Sequence, residues 1–239
     1  MVFALVGAAC GSDSSSSSNA VTVFAASSLT DAFTELGDAF TQANPDADLT
    51  FSFASSSDLA RQVIEGAPGD VYASADLANM AKVTDAGAVA GEPTVFATNS
   101  AEIIVGPGNP LGITGVDDLA TSDLVVVVCA PEVPCGTYAA EIFDRAGVTV
   151  TPDSLEDNVK AVVTKVTLGE ADAGVVYVTD VEAVGEAASG VEIPADVNVV
   201  ADYPIVAVSD DPLARTFVEF VRSAAGQDIL ASYGFGPPR

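Results

Sequence analysis

The stretch FSFASSSDLARQVIEGAPGDVYASAD, Phe51 to Asp76, separates the fold classes open to this chain. Leu49, Phe51 and Phe53 alternate with polar residues, the period of a half-buried strand. Ser55, Ser56 and Ser57 follow, and SDLARQVIEG then has helical spacing and a closing glycine, Gly66. GDVYASAD returns to strand and feeds a second helix from about Leu77 to Asp85. Strand, helix, strand in this order is the crossover unit of a parallel sheet. The serines raise a functional question as well. Between a strand end and a helix start they are turn formers and caps, or they are hydroxyl donors aimed at a ligand.

The same alternation extends in both directions. VTVFAA (Val21–Ala26) reads as a strand, and Leu29, Ala32, Phe33, Leu36, Ala39 and Phe40 form an apolar stripe at helical spacing. LVVVV (Leu124–Val128) is apolar on both faces, as buried parallel strands are. Helices follow in YAAEIFDRAG and NVKAVVTKVTLGE, then the strand AGVVYV. The expectation is an α/β chain with a mostly parallel sheet. No repeat with a solenoid or propeller period is present. GPGNPLG (Gly106–Gly112) marks a loop, and periodicity alone places no domain boundary.

Composition removes several kinds of chemistry. The chain has 239 residues, 34 of them acidic against 8 Lys and Arg, for a net charge of −26, and no histidine. Such a surface repels nucleic acid phosphates, and no basic cluster compensates. Without histidine there is no Ser-His-Asp triad, Cys-His pair or histidine metal site. Lysine occurs at Lys82, Lys160 and Lys165, none of them in an SxxK motif. A serine hydrolase built on the triplet therefore has little to work with.

MVFALVGAAC followed by GSDSSSSSN resembles the end of a bacterial lipoprotein signal, with Cys10 as the acylated residue and a polar tether after it. No positive charge precedes the apolar run, and Gly7 stands where leucine is usual. Cys129 and Cys135, in CAPEVPCG, suggest a small disulfide loop in an exported protein. A redox pair is the weaker alternative, because the spacing is not CxxC.

Helix starts are the instructive feature: AASSLTDAF, where Ser28 is spaced from Asp31 like a capping box, then ASSSDLA, VPCGTYAAE and EDNVKAV. Helix N-termini carry unpaired N–H groups and partial positive charge, so they bind anions without Lys or Arg. In open α/β sheets these starts gather at the carboxyl ends of the strands. Ordinary capping explains the serines equally well at this point.

VTVFAASSLTDAF, FSFASSSDLARQVIEGAPGDVYASAD, VPCGTYAAE, GVVYVTD and the closing SYGFGPP together resemble the periplasmic molybdate-binding proteins of ABC importers, in order from about Ala20 to Phe235. The resemblance implies a two-lobed class II binding-protein fold, each lobe a mostly parallel sheet flanked by helices, closing over a tetrahedral oxyanion. The chain would cross between lobes near Ala97–Glu102 and Ala201–Pro204. Residues 20–98 and 203–239 would then form the first lobe and 99–202 the second, with 1–19 a leader remnant and tether. Carried over residue by residue, Ser28 and Ser56 would each offer a hydroxyl and a backbone N–H. Cys135, where alanine is commoner, and Val159, after an extra Asn158, would offer backbone N–H groups, and Tyr177 its hydroxyl.

The implied protein is a monomeric receptor for molybdate or tungstate. It would serve a membrane permease and its ATPase, lipid-anchored on the outer face of the cytoplasmic membrane. It would have no catalytic activity, no cofactor, no nucleic acid partner and no side chain ligating the metal directly. Sulfate or phosphate binding on the same fold is the near alternative. A sensory module of similar fold is the distant one.

Overall fold

The computed structural model describes residues 19–239, so Cys10 and the serines of the tract lie outside the described residues. From Ala20 to Ala86 the observed order follows the periodicity closely. β1 (Ala20–Ala26) leads through a 3₁₀ turn (Ser27–Leu29) into α1 (Thr30–Ala43). β2 (Asp48–Ala54), α2 (Ser56–Ile64), β3 (Val71–Ala73) and α3 (Leu77–Asp85) follow. After the long strand β4 (Thr94–Val105) come β5 (Val126–Cys129), α4 (Pro134–Ala146), β6 (Ser154–Glu156), α5 (Val159–Thr167) and β7 (Ala173–Tyr177). The chain closes with α6 (Val178–Val184), β8 (Ser189–Glu192), β9 (Val200–Ala207), α7 (Pro212–Arg222) and α8 (Ala224–Ser232).

The strands run in the order β2-β1-β3-β9-β4-β7-β5-β6, with β8 also on β4. Pairing is parallel in β1–β2, β1–β3, β5–β6 and β5–β7. Every antiparallel pair involves β4 or β9, so the sheet is mixed. β4 changes partner along its length. It pairs with β9 over Thr94–Ser100 and with β7 over Ala101–Val105.

α1 shows why these residues pack as they do. Ala32, Phe33, Leu36, Gly37 and Phe40 face inward, and Phe33 and Phe40 meet the Phe217 ring edge-on at 6.2 and 5.3 Å. Each buried phenylalanine contributes about 2–3 kcal/mol. Gly37 leaves room for Phe51, since a Cβ there would stand 2.6 Å from its ring. A separate core of Ile103, Val126, Val128, Ile142 and Val175 fills the other half of the sheet. The C-terminal motif is tied to β4: Thr98 and Gly236 exchange N–H···O bonds of 2.8 and 2.9 Å.

Candidate functional site

Parallel register sets Ala26 beside Ala54, so the turn after β1 and the start of α2 begin side by side. The starts of α4 and α5 and the end of β7 converge on the same point. Together they line a cavity of about 10 Å³, roughly the space that one water molecule needs. Its walls are Ala26, Ser27, Ser28, Ser55, Ser56, Ala75, Val133, Pro134, Cys135, Val159 and Tyr177. The structure thus brings Ser28, Ser56, Cys135, Val159 and Tyr177 to one place, across more than half the sequence. Ser27, Ala75 and Pro134 are given no role in the sequence reading, and Ser55 has one only as a cap within the triplet. For Ser27 adjacency to Ser28 is the available signal, whereas Ala75 carries none.

Hydrogen bonding distinguishes the serines. The Ser56 hydroxyl oxygen accepts from the Ala75 N–H at 2.9 Å, which leaves its proton to donate into the cavity. Tyr72 donates to the Ser56 carbonyl at 2.9 Å and fixes the backbone there. Ser55 is the N-cap of α2, accepting from the Asp58 N–H at 3.2 Å and donating its own proton to Asp58 Oδ2 at 3.0 Å. Ser57 reaches Ser55 Oγ at 3.1 Å and lies outside the cavity wall. Ser28 does not form the capping box expected with Asp31. The turn begins at Ala26 without a side-chain cap, and the Ser28 hydroxyl bonds the Tyr203 hydroxyl at 3.0 Å instead. The 3₁₀ turn before α1 is what moves Ser28 out of capping position.

The other walls supply donors of a different kind. α4 has no side-chain cap, and Pro134 at its first position has no N–H, so Cys135 carries the first backbone donor of that helix. Asn158 is the N-cap of α5, accepting from the Ala161 N–H at 3.1 Å, which makes Val159 the first helical residue. Cys129 and Cys135 are disulfide-bonded, with Cα atoms 5.6 Å apart, joining the end of β5 to the start of α4. Gly136 is confined by the same turn. A Cβ there would lie 2.1 Å from the Ala130 carbonyl oxygen and 2.5 Å from that of Cys129.

Tyr177 closes the cavity. It is 2% exposed, and its hydroxyl has no hydrogen-bond partner among the described residues. Burial holds its pKa well above the ordinary phenol value, so it is a proton donor at any working pH. An unpaired buried hydroxyl costs on the order of 1–3 kcal/mol, a penalty that a ligand acceptor removes.

Among the described residues, none that lines the wall is charged. Lys160, next to Val159, is turned away to Asp31 at 3.0 Å and Asp180 at 3.5 Å. Among the described residues no group of His, Cys, Asp and Glu is arranged to hold a metal ion, and no helix is long and apolar enough to cross a membrane. The site is a shell of neutral donors, which suits an acceptor-rich anion without protons of its own.

A family profile described as bacterial extracellular solute-binding protein matches residues 21–236. The molybdate-binding protein ModA of Mycobacterium bovis is 45% identical over 96% of this chain and 92% of its own length. The periplasmic molybdate-binding protein of Azotobacter vinelandii superposes with a TM-score of 0.79 at 18% identity, over 92% of this chain and 100% of that one. The sulfate-binding protein SubI of Mycobacterium tuberculosis reaches 0.82, also at 18% identity, over 91% and 86% of the two chains. These structural likenesses carry the two-lobed binding-protein fold. The chain belongs to the bacterial extracellular solute-binding protein family.

Proposed function

We propose that this chain is an extracytoplasmic receptor that captures molybdate or tungstate and delivers it to an ABC permease. The observation that carries the reading is the orphan hydroxyl of Tyr177, buried in the wall of a cavity where helix starts and the Ser56 proton also converge. A tetrahedral dianion offers acceptors in every direction, so each donor finds a partner and each bond is charge-assisted. A protonated oxygen would meet a donor where it needs an acceptor. Ser28, Ser56 and Tyr177 act through hydroxyls, and Cys135 and Val159 through backbone N–H groups. The ligand's metal is reached only through its oxygens.

In this reading the protein binds and releases without chemistry and without a cofactor, as a monomer whose membrane attachment is a lipid on Cys10. The lobes are residues 20–98 with 203–239, and 99–202, and ligand shifts them from open to closed. Thermal unfolding with molybdate, tungstate, sulfate and phosphate in turn tests it. A ligand at 100 times its Kd adds about 2.7 kcal/mol to stability. Molybdate and tungstate should raise Tm and the other two should not. An equal shift with sulfate or phosphate would assign the site to another oxyanion.

A further inference from the structure

The Ser28 hydroxyl is held from behind by a residue outside the cavity wall. Tyr203, on β9, is fully buried, and its hydroxyl lies 3.0 Å from Ser28 Oγ. We infer that Tyr203 is a positioning residue for the oxyanion: its phenol donates to Ser28 Oγ and so commits the single Ser28 proton to the ligand. This rests on the oxyanion reading above.

Direction follows from proton accounting. Were Ser28 to donate to Tyr203, its lone pairs would face an anion and repel it. The phenol has a proton to give, because burial, above all, holds its pKa well above the ordinary value, while the Ser28 hydrogen bond pulls more weakly the other way. Asn99, beside the site on β4, is committed elsewhere. Its Oδ1 accepts the Ser100 N–H at 3.0 Å, and its Nδ2 donates to Thr179 Oγ1 at 2.8 Å. In this arrangement the donors run from the Tyr203 phenol through Ser28 to the cavity.

Ser56 has the same arrangement, with the Ala75 N–H in place of the phenol. Each of these two serines accepts a bond from behind and keeps its proton for the front. The Tyr203 ring is held for the task. It packs edge-on against Phe96, Tyr177 and Phe235, with centroids 6.4, 5.9 and 5.5 Å away. Its backbone is paired with Ala97 of β4.

A double-mutant cycle read by calorimetry with sodium molybdate tests the assignment. Tyr203→Phe keeps the ring and should weaken binding about tenfold, the loss of one well-placed donor. In a Ser28→Ala background the same change should cost little, and in a Ser56→Ala background it should keep most of its effect. An equal cost in both backgrounds, or no cost in the single variant, overturns the role. Should Tyr203→Phe not fold, proton NMR of the wild type decides. The Tyr203 hydroxyl resonance should move downfield on adding molybdate and show a cross-peak to the Ser28 β-protons, and an unmoved resonance overturns the role. If the wild type gives no heat with molybdate or tungstate, the oxyanion reading fails first and this inference with it. If the wild type binds and the cycle is additive, the inference alone fails.

Discussion

Ser55 and Ser56 are adjacent residues of one type whose protons go to opposite places. Ser55 gives its proton to Asp58 and its lone pair to the start of α2, while Ser56 takes the Ala75 N–H and keeps its proton for the cavity. Ser56→Ala is expected to lower molybdate affinity at least tenfold in calorimetry, and to lower the ligand-free Tm as well, because the buried Ala75 N–H loses its acceptor. Ser55→Ala should do the reverse in its main effect, costing about 1 kcal/mol of stability as a lost N-cap. Residue types alone left capping and ligand binding open for the serine triplet, and only the family resemblance picked out Ser56. What separates them is the Ala75 N–H, nineteen residues away, brought near by the pairing of β3 with β1. No local pattern carries that information. Ser28 shows the same limit, because its spacing to Asp31 fits a capping box while a tyrosine 175 residues on takes its hydroxyl.

At the scale of the element, the start of α4 is fixed by three constraints within a few residues. Pro134 removes one donor, the disulfide holds Cys135 to the end of β5, and Gly136 fits only because it has no side chain. Reduction of the disulfide should therefore weaken molybdate binding more than it alters the fold. The check is calorimetry in reductant beside circular dichroism, with free thiols confirmed by mass spectrometry. Unchanged affinity would make the bridge a staple alone. The helices were legible because their apolar stripes and flanking Gly and Ser are local signals. β4 and β9 were not legible as antiparallel strands, since apolar runs record burial and not direction.

Across the whole molecule, Lys160 on α5 joins Asp31 on α1 to Asp180 on α6. Asp180 is buried, and its Oδ2 also accepts the Tyr177 N–H at 3.3 Å. Burial pushes the Asp180 carboxyl up from 3.8 to about 6, with Lys160 pulling it down and Asp31 adding to the rise. The folded state thus keeps a proton that the unfolded chain releases. Its contribution to stability is full below the ordinary carboxylate pKa and is lost as pH rises through about 6. Denaturant unfolding of Asp180→Asn beside the wild type should show the difference moving in the variant's favour over that window, by up to roughly 3 kcal/mol. A constant difference would place the titration elsewhere. The two-lobed plan was legible from motifs spread along the chain, and this buried ion pair was not, because its members lie far apart in sequence.

The uncharged wall of the cavity has a consequence for the journey as well as the destination. A dianion approaching a protein of net charge −26 is repelled until it is within reach of the helix starts. Dissolved salt shortens that repulsion, to about 8 Å at physiological ionic strength, and leaves the enclosed donors almost untouched. Capture should thus quicken as the surrounding medium becomes saltier, while escape, set by bonds that no counterion can enter, keeps its own pace.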